Sequence, residues 1–139
     1  MSFKWDLRYM KLAQEASLWS KDPRKKVGAV LVDADNFVTA ICMNGLPKGV
    51  PDDPAILNNP EIKNKLMIHA EMNVLSRAHG VTIYVYPCLP CTICMGLLIQ
   101  RGIKRIVVPK ECLENVGTKW DPDIAQDIAE QAGVKVDFI

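Results

Sequence analysis

His69-Ala70-Glu71 and, about 16 residues on, Pro87-Cys88-Leu89-Pro90-Cys91 hold the residue types of a metal centre. Two cysteines three positions apart at the start of a helix lie about one turn apart, so both sulfurs reach one tetrahedral zinc at about 2.3 Å. The helix N-terminus and the metal both favour the thiolate form. His69 is the expected third ligand beside Cys88 and Cys91. Three protein ligands leave a fourth position for water, the arrangement of catalytic rather than structural zinc. Glu71 is too close in sequence to His69 to ligate from the same face, yet it reaches that water. It is the expected proton shuttle, taking the water proton once the metal has lowered its pKa.

Other chemistries use these residues less completely. A redox dithiol, or an iron–sulfur site drawing on Cys112, leaves His69-Ala70-Glu71 without a role. A closed four-ligand zinc on His69, Cys88, Cys91 and Cys94 engages the histidine but draws on Cys94 from a further helical turn. Cys94, Cys42 and Cys112 read most simply as small core residues. His79 falls roughly 15 Å along the same helix as His69 and cannot share its metal.

These residues need elements to hold them. Leu7, Met10, Leu12, Ala13, Ala16 and Leu18 recur at helical spacing over 4–20, and Ser20-Lys21-Asp22-Pro23 ends the pattern. Apolar runs at 27–32 and 37–42 flank Asp33-Ala34-Asp35-Asn36 and predict an antiparallel hairpin with both strands buried on two faces. Residues 44–60 carry enough Gly, Pro, Asn and Asp to predict one long loop. A helix over 68–79, a strand over 81–86, a helix from near Cys88 to Gln100 and a strand over 103–108 follow. Asp121-Pro122 opens a last helix to Gln131, and 134–138 is the last strand. The order α-β-β-α-β-α-β-α-β predicts one domain over 1–139, a three-layer α/β/α fold on a five-stranded mixed sheet whose later part is parallel. In such folds sites gather at helix N-termini beside the C-terminal ends of strands, where His69 and Cys88 both fall.

The chain is 49% hydrophobic and 24% charged, with 17 Lys plus Arg against 16 Asp plus Glu. That balance excludes a strongly basic nucleic-acid or membrane binder. No stretch approaches the roughly 20 apolar residues of a membrane span, and the N-terminus has no signal-peptide apolar region. Five cysteines, three of them at Cys88, Cys91 and Cys94, argue for metal chemistry in a reducing, cytoplasmic setting.

His-x-Glu followed by Pro-Cys-x-x-Cys is the pattern of zinc-dependent base deamination. Here it is joined by Ser20-Lys21-Asp22-Pro23, Lys26-Val27-Gly28-Ala29-Val30, Asn44-Gly45-Leu46-Pro47-Lys48-Gly49 with Asp52-Asp53, His69-Ala70-Glu71-Met72-Asn73 and Ile99-Gln100-Arg101-Gly102-Ile103-Lys104-Arg105. Together these resemble the zinc-dependent cytidine deaminase superfamily, and within it the deoxycytidylate (dCMP) deaminases. The resemblance implies the cytidine-deaminase-like fold and hydrolysis of dCMP to dUMP and ammonia, a supply of thymidylate precursor. It also implies one Zn2+ on His69, Cys88 and Cys91, proton transfer by Glu71, sugar binding by Asn44 and reading of the base edge at the Ala70 backbone. For the substrate phosphate, Lys26 is preferred within the basic cluster Arg24, Lys25 and Lys26.

Family members are often activated by dCTP and inhibited by dTTP, with Mg2+ accompanying the triphosphate, and are usually homohexamers. This chain keeps Asn44, Gly45, Pro47 and Gly49 of the effector loop, but has Cys42 and Met43 where the family usually has Gly-Tyr. Its segment from Asp53 to His69 is short and lacks Cys or His, so the extra structural zinc of some relatives is not expected. Trp5, Trp19 and Trp120 are candidates for subunit contacts or core. The rival readings are deamination of another cytosine or adenine nucleotide or nucleoside, and a non-catalytic, zinc-stabilised nucleotide sensor. Polynucleotide editing lacks its basic track and stacking platforms.

Overall fold

The computed structural model describes residues 2–113 and 121–139. Its elements are α1 (Phe3–Ser17), β1 (Gly28–Val32), β2 (Val38–Met43), α2 (Pro54–Leu57), α3 (Pro60–Leu66), α4 (Ala70–Leu75), β3 (Thr82–Tyr86), α5 (Thr92–Gln100), β4 (Arg105–Val108), α6 (Pro122–Gln131) and β5 (Lys135–Phe138). They form a five-stranded sheet in the order β2-β1-β3-β4-β5. Strand β1 pairs antiparallel with both β2 and β3, whereas β3-β4 and β4-β5 are parallel. The mixed sheet and its parallel later part agree with the expectation from element order.

Alternation along the strands divides the core in two. Ala29, Leu31, Ile83, Val85, Ile106 and Val108 pack with Val74, Met95, Leu98 and Ala129 of α4, α5 and α6. The intervening Val30, Val32, Tyr84 and Val107 meet Tyr9, Met10 and Ala13 of α1. The result is three layers, with one helix on one face and three on the other. Gly28 is required at the closest point of the first layer. A Cβ there would collide with the carbonyl oxygen of Ala13 and lie 2.6 Å from the backbone nitrogen of Ser17.

On the α1 side, Asp6 ties three elements together. It accepts from Tyr84 Oη at 2.7 Å and takes a two-pronged contact from the Arg105 guanidinium at 2.8 Å, while Arg105 Nε donates to Asp137 at 2.7 Å. Burial alone would raise the Asp6 carboxyl, but the hydrogen bonds from Arg105 and Tyr84 outweigh it and hold Asp6 below the usual carboxylate range.

Three expectations change. Residues 44–60 are not one loop: α2 and the start of α3 lie within them, each opened by a proline at its first turn, with Asp53 Oδ1 accepting from Ala55 N at 2.9 Å. Strand β2 is a sheet edge and partly exposed, not buried on two faces. Trp5 and Trp19 are about half exposed rather than core, and Trp120 lies outside the described residues. No helix among the described residues is long and apolar enough to cross a membrane.

Candidate active site and metal centre

Two helix starts meet over the sheet. His69 is the N-cap of α4, and the strand-like bridge before it, Ile68 with Gly45, fixes its distance from the 44–49 loop through hydrogen bonds of 2.8 and 3.1 Å. Asn73, one turn on, donates to the Met43 carbonyl at 2.7 Å. Cys91 is the N-cap of α5, its sulfur accepting from Cys94 N at 3.5 Å.

His69 Nδ1 lies 3.5 Å from Cys91 Sγ and 3.3 Å from Cys94 Sγ, and the three donor atoms all fall within 4.8 Å of one another. A tetrahedral zinc with Zn–N about 2.0 Å and Zn–S about 2.3 Å sets N···S near 3.5 Å and S···S near 3.8 Å. The triad therefore fits a zinc ion in both chemistry and spacing. Among the described residues it is the one such cluster.

The cluster keeps His69 and Cys91 of the ligand set expected from sequence and has Cys94 in place of Cys88. Cys88 stands outside the cluster, because α5 begins at Thr92 rather than near Cys88 and presents Cys91 and Cys94 from its first turn. Pro90-Cys91-Thr92-Ile93-Cys94 repeats the same Pro-Cys-x-x-Cys pattern three residues later. That overlapping second match was the signal for Cys94. Cys94 is buried, as expected of a core residue, and its sulfur also joins the cluster 3.3 Å from His69 Nδ1.

The three groups of the triad shift one another's protonation. A hydrogen bond with Cys94 and then one with His69 pull the Cys91 thiol down to about 4, while the partner Cys94 is driven up. The contact with Cys91 raises His69. Burial pushes Cys88 up to about 11, which keeps it a neutral thiol. Glu71 is 4% exposed, and desolvation raises its carboxyl above the ordinary glutamate value.

A cleft opens beside the triad. It is lined by His69, Glu71, Cys88 and Cys91 together with Val27, Leu89, Asn44, Lys25, Asp22, Lys63, Asn64 and Met67. Asn44 is buried at its wall, its Oδ1 accepting from Val27 N at 3.0 Å and its Nδ2 donating to the Lys25 carbonyl at 2.8 Å. Ala70 is fully buried at the first turn of α4. Lys26 departs from expectation: it is exposed, its ammonium is bound to the Ser20 carbonyl, and it does not line the cleft. Lys25 and Lys63 line it instead. Lys63 was hidden because it sits on α3, where no catalytic motif marks it, 41 residues from its partner Asp22.

Residues 3–110 match the family model described as the cytidine and deoxycytidylate deaminase zinc-binding region. The chain is 35% identical to an uncharacterised deaminase from the luxG 3′ region of Aliivibrio fischeri, over 100% of this chain and 96% of that one. It is 38% identical to a probable deoxycytidylate deaminase of Caenorhabditis elegans, over 71% of this chain and 54% of that protein. Among solved structures, the dCMP deaminase of cyanophage S-TIM5 in complex with dCMP and dUMP superposes with a TM-score of 0.78 at 26% identity, covering 100% of this chain and 99% of that one.

Proposed function

This chain belongs to the cytidine and deoxycytidylate deaminase family, and we propose that it hydrolyses dCMP to dUMP and ammonia. The observation that carries the reading is the convergence of His69, Cys91 and Cys94 on one point, beside a cleft that His69, Cys91 and the buried Glu71 line. Similarity to the cyanophage enzyme, which was solved with dCMP and dUMP, supports the substrate.

His69, Cys91 and Cys94 would hold the zinc. Bound there, it supplies Lewis-acid activation of the attacking water. Glu71 takes a proton from that water and delivers it to N3 of the pyrimidine, then takes the second proton from the new C4 hydroxyl and gives it to the amine as it leaves C4. A carbon–oxygen bond forms at C4 and the carbon–nitrogen bond breaks, so water enters and ammonia departs with no other reactant. Burial of Glu71 suits this role, because desolvation raises its carboxyl above the ordinary glutamate value and makes it a better proton acceptor. The position of Ala70 in the first turn of α4 and of Asn44 in the cleft wall supports contacts with the base and the sugar.

The proposal extends to regulation and assembly. Asn44, Gly45, Pro47 and Gly49 support a triphosphate effector loop for dCTP and dTTP, with Mg2+ carried by the triphosphate. Exposed Ile93 and Leu97 on α5 support a homo-oligomer. Five free cysteines support a cytoplasmic, reducing location. Loss of pyrimidine absorbance with dCMP, CMP, deoxycytidine and dCTP in parallel, with and without dCTP or dTTP as effector, tests the reading. Turnover of dCMP above the other three supports it, and no turnover of dCMP by the zinc-loaded protein overturns it.

A further inference from the structure

Resting on the nucleotide reading above, we propose that Lys63 selects substrates bearing a 5′-phosphate, with Asp22 holding its ammonium in place and Lys25 as a second cation of the same cleft. The side chains of Lys63 and Asp22 are only 5% and 4% exposed, and Nζ lies 2.9 Å from Oδ1. A buried ion pair gains little over apolar packing of the same volume, so stability alone gives no reason for an ammonium in a cleft wall. The neighbouring Lys65 on α3 is exposed, so the helix turns this one lysine inward by position rather than by composition.

The surrounding turn is built to hold the charge still. Asp22 Oδ1 also accepts from Arg24 N at 2.8 Å and Lys25 N at 3.1 Å, and Ser20 Oγ donates to the Asn44 carbonyl at 3.0 Å while accepting from Asp22 N at 3.2 Å. Those bonds and Lys63 hold Asp22 below the usual carboxylate range, overcoming the effect of its burial, so it stays an anion that orients the lysine. An ammonium carries three donors, and the bond to Asp22 engages one. The ionic groups lining the cleft are Lys25, Lys63, Asp22 and Glu71. With Glu71 assigned to proton transfer, the donors that the Lys63 ammonium keeps beyond the one given to Asp22 are placed to meet an anion in this cleft. A phosphate dianion is the part of a nucleotide that would repay them.

The test compares equilibrium binding of dUMP and deoxyuridine to the zinc-loaded protein, wild type against Lys63→Gln and Lys63→Arg. Loss of a charge-assisted hydrogen bond is expected to weaken dUMP by about 10- to 100-fold and deoxyuridine by about twofold or less. Lys63→Arg is expected to recover most of the loss, and in turnover of dCMP the KM should rise by more than kcat falls. Equal losses for both ligands would reduce Lys63 to a structural role and overturn the proposal, as would no loss for dUMP. A wild type that binds dUMP less than about threefold better than deoxyuridine overturns it without any variant, which covers a Lys63→Gln chain that does not fold. Binding of dUMP with no deamination of dCMP contradicts the proposed function and not the phosphate contact. Deamination of dCMP that is indifferent to Lys63→Gln contradicts the phosphate contact alone.

Discussion

His69 Nδ1 lies 3.3 Å from Cys94 Sγ although the two residues are 25 positions apart, each held at the first turn of a different helix. Cys88, the nearer cysteine in sequence, stands outside the cluster. Cys94→Ser should therefore bring zinc content well below one per chain, while Cys88→Ser should keep it near one. Metal analysis of the purified variants checks this, and the reverse pattern would return Cys88 to the ligand set.

Asn44 joins the site to the scaffold. Its amide satisfies Val27 N and the Lys25 carbonyl at the entrance to β1, so Asn44→Ala leaves buried backbone groups unpaired. A loss of about 2 kcal/mol in chemical denaturation is expected, beside any loss of sugar contact. Unchanged stability would mean the amide acts only on substrate.

Asp6 sets a pH window for the fold. Its folded pKa is depressed, so its contribution is present above the unfolded value near ~3.9 and is lost as pH falls through the folded value. Tyr84 is raised, by burial first and then by Asp6, so its contribution is present below about 10 and is lost at higher pH. Asp6→Asn should cost about 3 kcal/mol at neutral pH, because it leaves Arg105 without its carboxylate, and should flatten the stability profile below about pH 4. Denaturation midpoints measured from pH 2 to 7 decide it. A variant with the wild-type acid slope would remove Asp6 as the cause.

Gly28 admits no side chain against α1. Gly28→Ala should cost about 2–3 kcal/mol through overpacking, read as a lowered thermal midpoint. A neutral effect would mean that α1 is free to move away from β1.

Much of the fold is legible in the amino-acid sequence. The apolar runs at 27–32 and 81–86 predict the buried strands β1 and β3, and His69-Ala70-Glu71 marks the start of α4. What misled were signals with two meanings. Pro54 and Pro60 read as breakers, but each opens a helix, where a missing N–H costs nothing. Two overlapping Pro-Cys-x-x-Cys matches differ by three residues, close to one helical turn, and only the true start of α5 separates them. Lys63 could not be found by pattern, because its pairing with Asp22 is a long-range product of folding.

Glu71→Gln tests the central claim most directly. With zinc content and melting temperature measured beside dCMP turnover, the variant should keep its metal and its fold and lose about 10²- to 10⁴-fold in kcat. Retained turnover in a zinc-loaded, folded Glu71→Gln protein would contradict the proton-transfer role on which the deaminase mechanism rests.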